Sequence, residues 1–200
     1  LTEVWNGLGL QMLLYLFTLE EEGEALFGRR PVPAGGLYLP ARDAMVAGSR
    51  TMDEAARRRL LDKELLRRGL ILDQEEVVQA MKHGAGELRF LPLRVSARTG
   101  KITGEALVSA QKLGRLKQHI AHTLGQICQE IARGNIDADP FWRGPNRNAC
   151  QYCVYAPACH FEEDTDCRHW VPSVRNREFW DWLAQEEGEG GKDHARTENP

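Results

Sequence analysis

Three thiols fall within ten residues of this chain, Cys150, Cys153 and Cys159, with Pro157 turning the backbone between the last two. A Cys-x2-Cys turn folds both sulfurs to one side, and a further thiolate nearby can reach the same centre. That is the geometry of a zinc or iron–sulfur site. Packing alone does not ask for it. A free cysteine in a core is a small hydrophobe that needs no second one beside it, yet three of the five cysteines are gathered here. A structural zinc wants a tetrahedral set, and the local candidates to complete one are Cys167 and His160. His160 directly follows Cys159, a spacing at odds with both binding one ion, and Cys167 comes after an acidic loop. A 4Fe–4S cluster also needs a further thiolate, which can come from far away in sequence. On residue chemistry alone, zinc and iron–sulfur stand level.

A second pair of side chains is also placed for chemistry. Gln11 and Tyr15 lie one helical turn apart in Leu-Gln-Met-Leu-Leu-Tyr-Leu, so an amide and a phenol point the same way from an apolar segment. A buried amide must be satisfied, so Gln11 is costly in a core without a partner or a ligand; taken alone, the pair reads more simply as a partly exposed glutamine and a core tyrosine. Other candidates fall away. His119 and His122 are three apart but have no third ligand near them, and Cys128 reads as packing beside an apolar stripe. Gly7 and Gly9 stop at Gly-x-Gly with no strand before them, which is not a nucleotide loop.

The elements that position these residues follow from periodicity and punctuation. Trp5, Leu8, Met12, Tyr15 and Leu19 predict one amphipathic helix over residues 3–22. A Pro- and Gly-rich loop then leads into a buried strand, Leu37-Tyr38-Leu39. Thr51-x-x-Glu54 predicts a capping box that opens a helix through Arg68, closed by Gly69. That helix carries Arg57, Arg58, Arg59, Lys63, Arg67 and Arg68, with Asp53–Arg57 and Glu64–Arg68 as compensating pairs. Asp73 and Glu76 cap a second short helix ending near Gly84. Residues 88–95 read as a strand at a sheet edge or bulge, because Pro92 removes a ladder donor. Leu113, Leu116, Ile120, Leu124, Ile127 and Ile131 predict a helix from Thr103 to Arg133, ended by Gly134. Its length would be roughly 45 Å at about 1.5 Å per residue. Phe179, Trp180, Trp182 and Leu183 form a final apolar face docked on the body, and residues 186–200 are expected to be a disordered acidic tail.

Composition sets the outer bounds. Hydrophobic content of 42% and charged content of 28% are those of a soluble globular protein. No apolar run is long enough to span a bilayer, and no basic segment precedes an apolar one as in a secretion signal. A thiol cluster of this kind fits a reducing cytoplasm better than a disulfide framework. The net charge of −3 is uneven: residues 160–200 hold 11 acids and 5 bases, whereas residues 1–159 hold 18 acids and 21 bases. A mildly basic body permits contact with nucleic acid. The chain begins at Leu1, in what reads as the inside of a helix, and is expected to be a piece of a longer protein.

Together the two motifs carry a resemblance. Gly-Leu-Gln11-Met-Leu-Leu-Tyr15-Leu resembles the Gln-x3-Tyr helix of RecB-family nucleases in the PD-(D/E)xK superfamily. Cys150-x2-Cys153-x5-Cys159 resembles the C-terminal cysteine triplet of those members that carry an iron–sulfur cluster. The order of elements, over about residues 5–183, is similar to the C-terminal end of the AddB family, second subunits of AddAB-type helicase–nucleases.

The resemblance implies an α/β, mostly helical fold, the C-terminal part of a restriction-endonuclease-like nuclease domain. Residues 1–145 would be core with a two-helix insert at about 51–84, followed by a cysteine region at 146–170 and a docked segment at 171–185. It implies Gln11 and Tyr15 as catalytic-motif residues. It also implies Cys150, Cys153 and Cys159 as ligands of a 4Fe–4S cluster whose fourth cysteine lies upstream of this chain. Mg²⁺ would be bound by an upstream Asp and Glu-x-Lys. The implied partners are DNA, as double-strand ends and single strands, and an AddA-like subunit. No Asp- or Glu-x-Lys falls on a predicted strand here, so the chain alone is expected to be inactive. Two alternatives stay open. A compact CRISPR-associated or other RecB-type exonuclease is one, disfavoured by the long stretch between Tyr38 and Phe90. The other is a zinc-stapled DNA- or protein-binding module that uses Cys167.

Overall fold

The computed structural model describes residues 1–82, 88–162 and 167–186. The first half of the chain forms α1 (Thr2–Trp5), α2 (Gln11–Glu22), α3 (Glu24–Phe27), β1 (Gly35–Tyr38), α4 (Glu54–Glu64), β2 (Arg68–Leu72) and α5 (Glu75–Ala80). After these come β3 (Arg94–Val95), β4 (Ile102–Thr103), β5 (Leu107–Val108) and α6 (Ala110–Ala132). The last elements are β6 (Phe141–Trp142), α7 (Ala156–Cys159), β7 (His169–Trp170) and α8 (Asn176–Glu186). Two compact units result, Gln11–Lys117 and Leu1–Leu10 with the chain from Gln118 onward, and their boundary lies within α6.

In the unit Gln11–Lys117 the middle strand is β2. It pairs antiparallel with β1, Leu37 opposite Gly69, and parallel with β5, Ile71 opposite Leu107 and Leu72 opposite Val108. Its apolar run Leu70-Ile71-Leu72 is buried, as a strand with a neighbour on each side requires. Ile71 packs in one cluster with Val78, Leu91, Leu93 and Ala106. Gly69 has φ +147°, and a Cβ there would lie 2.0 Å from the Gly36 carbonyl oxygen, so only glycine lets β1 approach this closely. In α2, Leu13 and Phe17 are buried. Lys117 Nζ donates to Glu20 at 2.8 Å and reaches Glu21 at 2.9 Å, tying α6 to α2. Those two hydrogen bonds raise the amine's pKa above its ordinary value.

The other unit is held by aromatic packing. Phe179 and Leu183 of α8 are buried with Trp180, and the Trp5 and Trp182 rings are 4.0 Å apart. Thr2 Oγ1 donates to the Val174 carbonyl at 2.8 Å, which fixes α1 beside the start of α8. His119 is buried edge-on to the Trp182 ring, 5.0 Å between centroids. Helix α6 ends in paired bonds, Gly134 N–H to Ile131 O and Asn135 N–H to Glu130 O, the closure that a glycine after the last turn makes. The end at Gly134 and the docked face at Phe179–Leu183 agree with the sequence expectation.

Several expectations change. The helix expected over residues 3–22 is two helices, because Gly7 and Gly9 take φ +70° and +64° and break it. The buried residues of this stretch are Val4, Leu10, Leu13 and Phe17, whereas Tyr15 and Leu19 are exposed. The strand at residues 37–39 is shifted to Gly35–Tyr38 and is half-buried to exposed rather than buried. The helix expected through Arg68 stops at Glu64, and Arg68–Leu72 is β2; the β-branched and leucine run outweighs local helix propensity. Asp53, not Thr51, holds its N-cap position, with no side-chain capping bond; Glu64 pairs with Arg42, and Asp62 with Arg89. Neither Asp73 nor Glu76 caps α5, whose N-cap is Gln74 with no side-chain capping bond, and Gly84 lies outside the described residues. Of residues 88–95 only Arg94–Val95 is strand, since Phe90 takes φ +64°. The long helix starts at Ala110 rather than Thr103, and Ile127 and Ile131 are exposed. Cys128 is likewise exposed rather than packed. The expected tail lies outside the described residues beyond Glu186.

Ile71 sits at the crossing of the sheet and the core cluster, so truncating it should be among the costlier single changes. Ile71→Ala is expected to lower stability by about 2–5 kcal/mol and Ile71→Val by about 0.5–1.5 kcal/mol. Urea unfolding monitored by circular dichroism measures both, and an Ile71→Ala loss below that of Ile71→Val would contradict this placement.

Candidate functional site

Two sets of side chains stand out, one in each unit. In the unit Gln11–Lys117, α2 packs by Leu13 and Phe17, and a Cβ on Gly36 of β1 would meet the Met12 methyl at 3.2 Å. Positions 11 and 15 lie about 200° round a helix from 13 and 17, at about 100° per residue. Gln11 and Tyr15 therefore face outward, and both are exposed. The Gln11 amide Nε2 donates to the Tyr15 hydroxyl at 2.7 Å. Gln11 is satisfied at the surface by the phenol one turn on, and Tyr15 is exposed rather than a core residue. The bond leaves the amide oxygen free to accept and the phenolic O–H free to donate, side by side on one helix face.

In the other unit, the cysteine segment is held at both ends by the same short strand. Ala149 N–H donates to Phe141 O at 3.1 Å on one side of β6. On the other, β7 pairs parallel with β6, Phe141 opposite His169 and Trp142 opposite Trp170. Arg168 lies over the Trp142 ring, 3.6 Å from its centroid, and His169 Nδ1 is 3.3 Å from Asp139 Oδ2. These two-residue strands are invisible to periodicity, and the sequence expectation missed them. Between the clasped ends, Cys153 N–H reaches Cys150 O at 3.3 Å and Cys159 N–H donates to Tyr155 O at 2.9 Å, so the thiols sit on successive tight turns. Pro157 lies in the first turn of α7, where its missing N–H costs nothing.

Cys150, Cys153, Cys159 and Cys167 are all exposed, free thiols. Their donor chemistry suits a soft, thiolate-bound metal centre. As folded, however, the described residues gather no group of three His, Cys, Asp or Glu side chains close enough to hold an ion. The same statement covers His119 and His122, the first buried in the aromatic cluster and the second exposed. No carboxylate set for a hydrolytic divalent cation is gathered among the described residues either, and the sequence holds no Asp- or Glu-x-Lys at any position. Among the described residues no helix is long and apolar enough to cross a membrane.

Residues 2–160 match the model of the PD-(D/E)XK nuclease superfamily. Among curated proteins the chain is similar to the B subunit of the ATP-dependent helicase/deoxyribonuclease of Clostridium novyi, 30% identical over 93% of this chain and 16% of that protein. It is also similar to the corresponding B subunit of Acetivibrio thermocellus, 30% identical over 94% of this chain and 17% of that protein. The B subunit of Exiguobacterium sibiricum is 34% identical over 80% of this chain and 14% of that protein. The chain thus spans about a sixth of the length of the curated relatives it matches. With the matched segment running from α1 through the cysteine triplet, this chain belongs to the PD-(D/E)XK nuclease superfamily.

Proposed function

We propose that this chain supplies part of the nuclease domain of an ATP-dependent helicase/deoxyribonuclease subunit, one that processes DNA double-strand ends for recombination repair. The observation that carries this is similarity to helicase/deoxyribonuclease B subunits over more than nine-tenths of the chain, together with the superfamily match. The exposed Gln11–Tyr15 pair supports it, because an acceptor and a donor held together on a rigid helix can position a DNA strand beside a catalytic centre. The catalytic divalent cation, Mg²⁺ in this proposal, would supply activated water and charge neutralisation at the phosphate when bound. No set of ligands for it is gathered among the described residues, and the sequence holds no Asp- or Glu-x-Lys. Hydrolysis is therefore assigned to residues outside this chain, and the subunit would act with an AddA-like helicase–nuclease partner.

Cys150, Cys153 and Cys159 would be three ligands of a 4Fe–4S cluster, with the fourth thiolate from outside the chain. Their exposure supports this, since they are free to gather as the group binds, and binding energy then becomes folding energy. One observation favours a zinc reading beside it. Ala149 and His169, the close sequence neighbours of Cys150 and Cys167, are both paired with Phe141 of β6, so Cys167 starts beside the same strand.

Two measurements test these assignments. The purified chain with Mg²⁺ or Mn²⁺ and linear DNA should give no cleavage, and robust cleavage would contradict the assignment of the catalytic ligands elsewhere. Anaerobically purified protein should contain iron and acid-labile sulfide, and Cys153→Ser should lose both and open the segment after residue 150 to protease. One zinc per chain, with Cys167 protected from alkylation, would instead establish the zinc-stapled module.

A further inference from the structure

We infer that the β3–β4 hairpin is a phosphate-backbone contact for single-stranded DNA, made by Arg94, Arg98 and Lys101. The inference rests on the nucleic-acid function proposed above and names a surface for it. From Leu88 to Gly104 the sequence holds four basic residues and no acid. Arg89 is used internally, its guanidinium paired with Asp62 at 2.9 Å. Arg94, Arg98 and Lys101 are exposed, and among the described residues no acidic side chain pairs with them.

Backbone hydrogen bonds order the segment that carries these cations. Arg94 is opposite Thr103 and Val95 opposite Ile102 in the antiparallel ladder. Ser96 N–H extends it to Lys101 O at 2.9 Å, and Gly100 N–H closes the turn on Ser96 O at 2.8 Å. With side chains alternating along a strand, Arg94 and Lys101 share one face and Ile102 has the other. Ile102 packs against the core cluster that contains buried Leu91 and Leu93, so the face carrying Arg94 and Lys101 turns away from the core. Arg98 stands at the tip.

The more conspicuous basic run, on α4, is a weaker candidate. Arg57, Arg58, Arg59 and Lys63 lie among Asp53, Glu54, Asp62 and Glu64, so residues 53–64 sum to a formal charge of zero, although Asp62 and Glu64 themselves pair with Arg89 and Arg42. Within the hairpin itself, residues 94–103, the sequence holds no acid. An uncompensated row of guanidinium and ammonium groups on a firm two-stranded ribbon is complementary to a polyanion, and arginine in particular suits bidentate phosphate contact.

The test uses the intact protein that carries this chain and a short labelled single-stranded DNA, with binding followed by anisotropy over a range of salt concentrations. Arg94→Gln/Arg98→Gln/Lys101→Gln should weaken binding and lower the log–log salt slope by about 2, from about 0.7 per phosphate contact on single strands. Arg94→Lys/Arg98→Lys should retain most of the slope, and circular dichroism should show all variants folded. Unchanged affinity and slope in the triple glutamine variant overturns the inference while leaving DNA binding intact. So does a loss confined to Arg57→Gln/Arg58→Gln/Arg59→Gln. Failure of the unaltered protein to bind DNA would instead remove the proposed function itself.

Discussion

The five residues of β2 must satisfy neighbours running in opposite directions, and the unit Gln11–Lys117 is arranged around that demand. Gly69 and Gly36 let β1 come close on one side, while Ile71 and Leu72 meet β5 on the other. Once Ile71 is buried, the cluster of Val78, Leu91, Leu93 and Ala106 has a floor to pack on. Helix α2 lies over β1, and the burial of Leu13 and Phe17 decides which way Gln11 and Tyr15 point. The hairpin stands on the same cluster through Ile102. Both the motif pair and the basic ribbon thus inherit their rigidity from one short strand.

The cysteine segment is organised differently. Its ends are fixed by the β6 ladder and by aromatic contact, Arg168 on Trp142 and Trp142 against Trp170. Its middle is turns with exposed Tyr152, Val154 and Tyr155, which bury little. Such a stretch has little hydrophobic stabilisation of its own, and a thiolate-bound metal is the kind of group that supplies it in small modules. Fixed ends shorten the search for a bound geometry, so the proposed cluster would close a loop whose entropy is already partly lost.

Legibility in the sequence follows the physics of each element. The end of α6 at Gly134 and the docked Phe179–Leu183 face are readable, because a terminal glycine and a dense aromatic run act locally. The two motifs are readable as residue types, and they lead to the correct superfamily. The breaks are not. Gly7 and Gly9 take positive φ and end the helix, an outcome that glycine's low helix propensity permits but that the apolar periodicity running through them masks. Strand β2 is hidden behind a strong helix former, and the strands of two residues carry no period at all. The apolar neighbours of Tyr15 suggest a core position, yet it sits with Gln11 on the face of α2 opposite Leu13 and Phe17. Apolar context along the chain does not say which side of a helix is covered.

The most direct measurement compares the intact protein with its Tyr15→Phe and Gln11→Ala variants in degradation of linear double-stranded DNA, with ATP hydrolysis followed in the same reaction. Both positions are exposed, so the variants should remain folded. Each is expected to cut at least about tenfold more slowly, since small misplacement at a reacting centre can cost up to about a hundredfold, while ATP turnover is unchanged. Full cleavage rates in both variants, with ATP turnover intact, would contradict the assignment of this helix to a nuclease site.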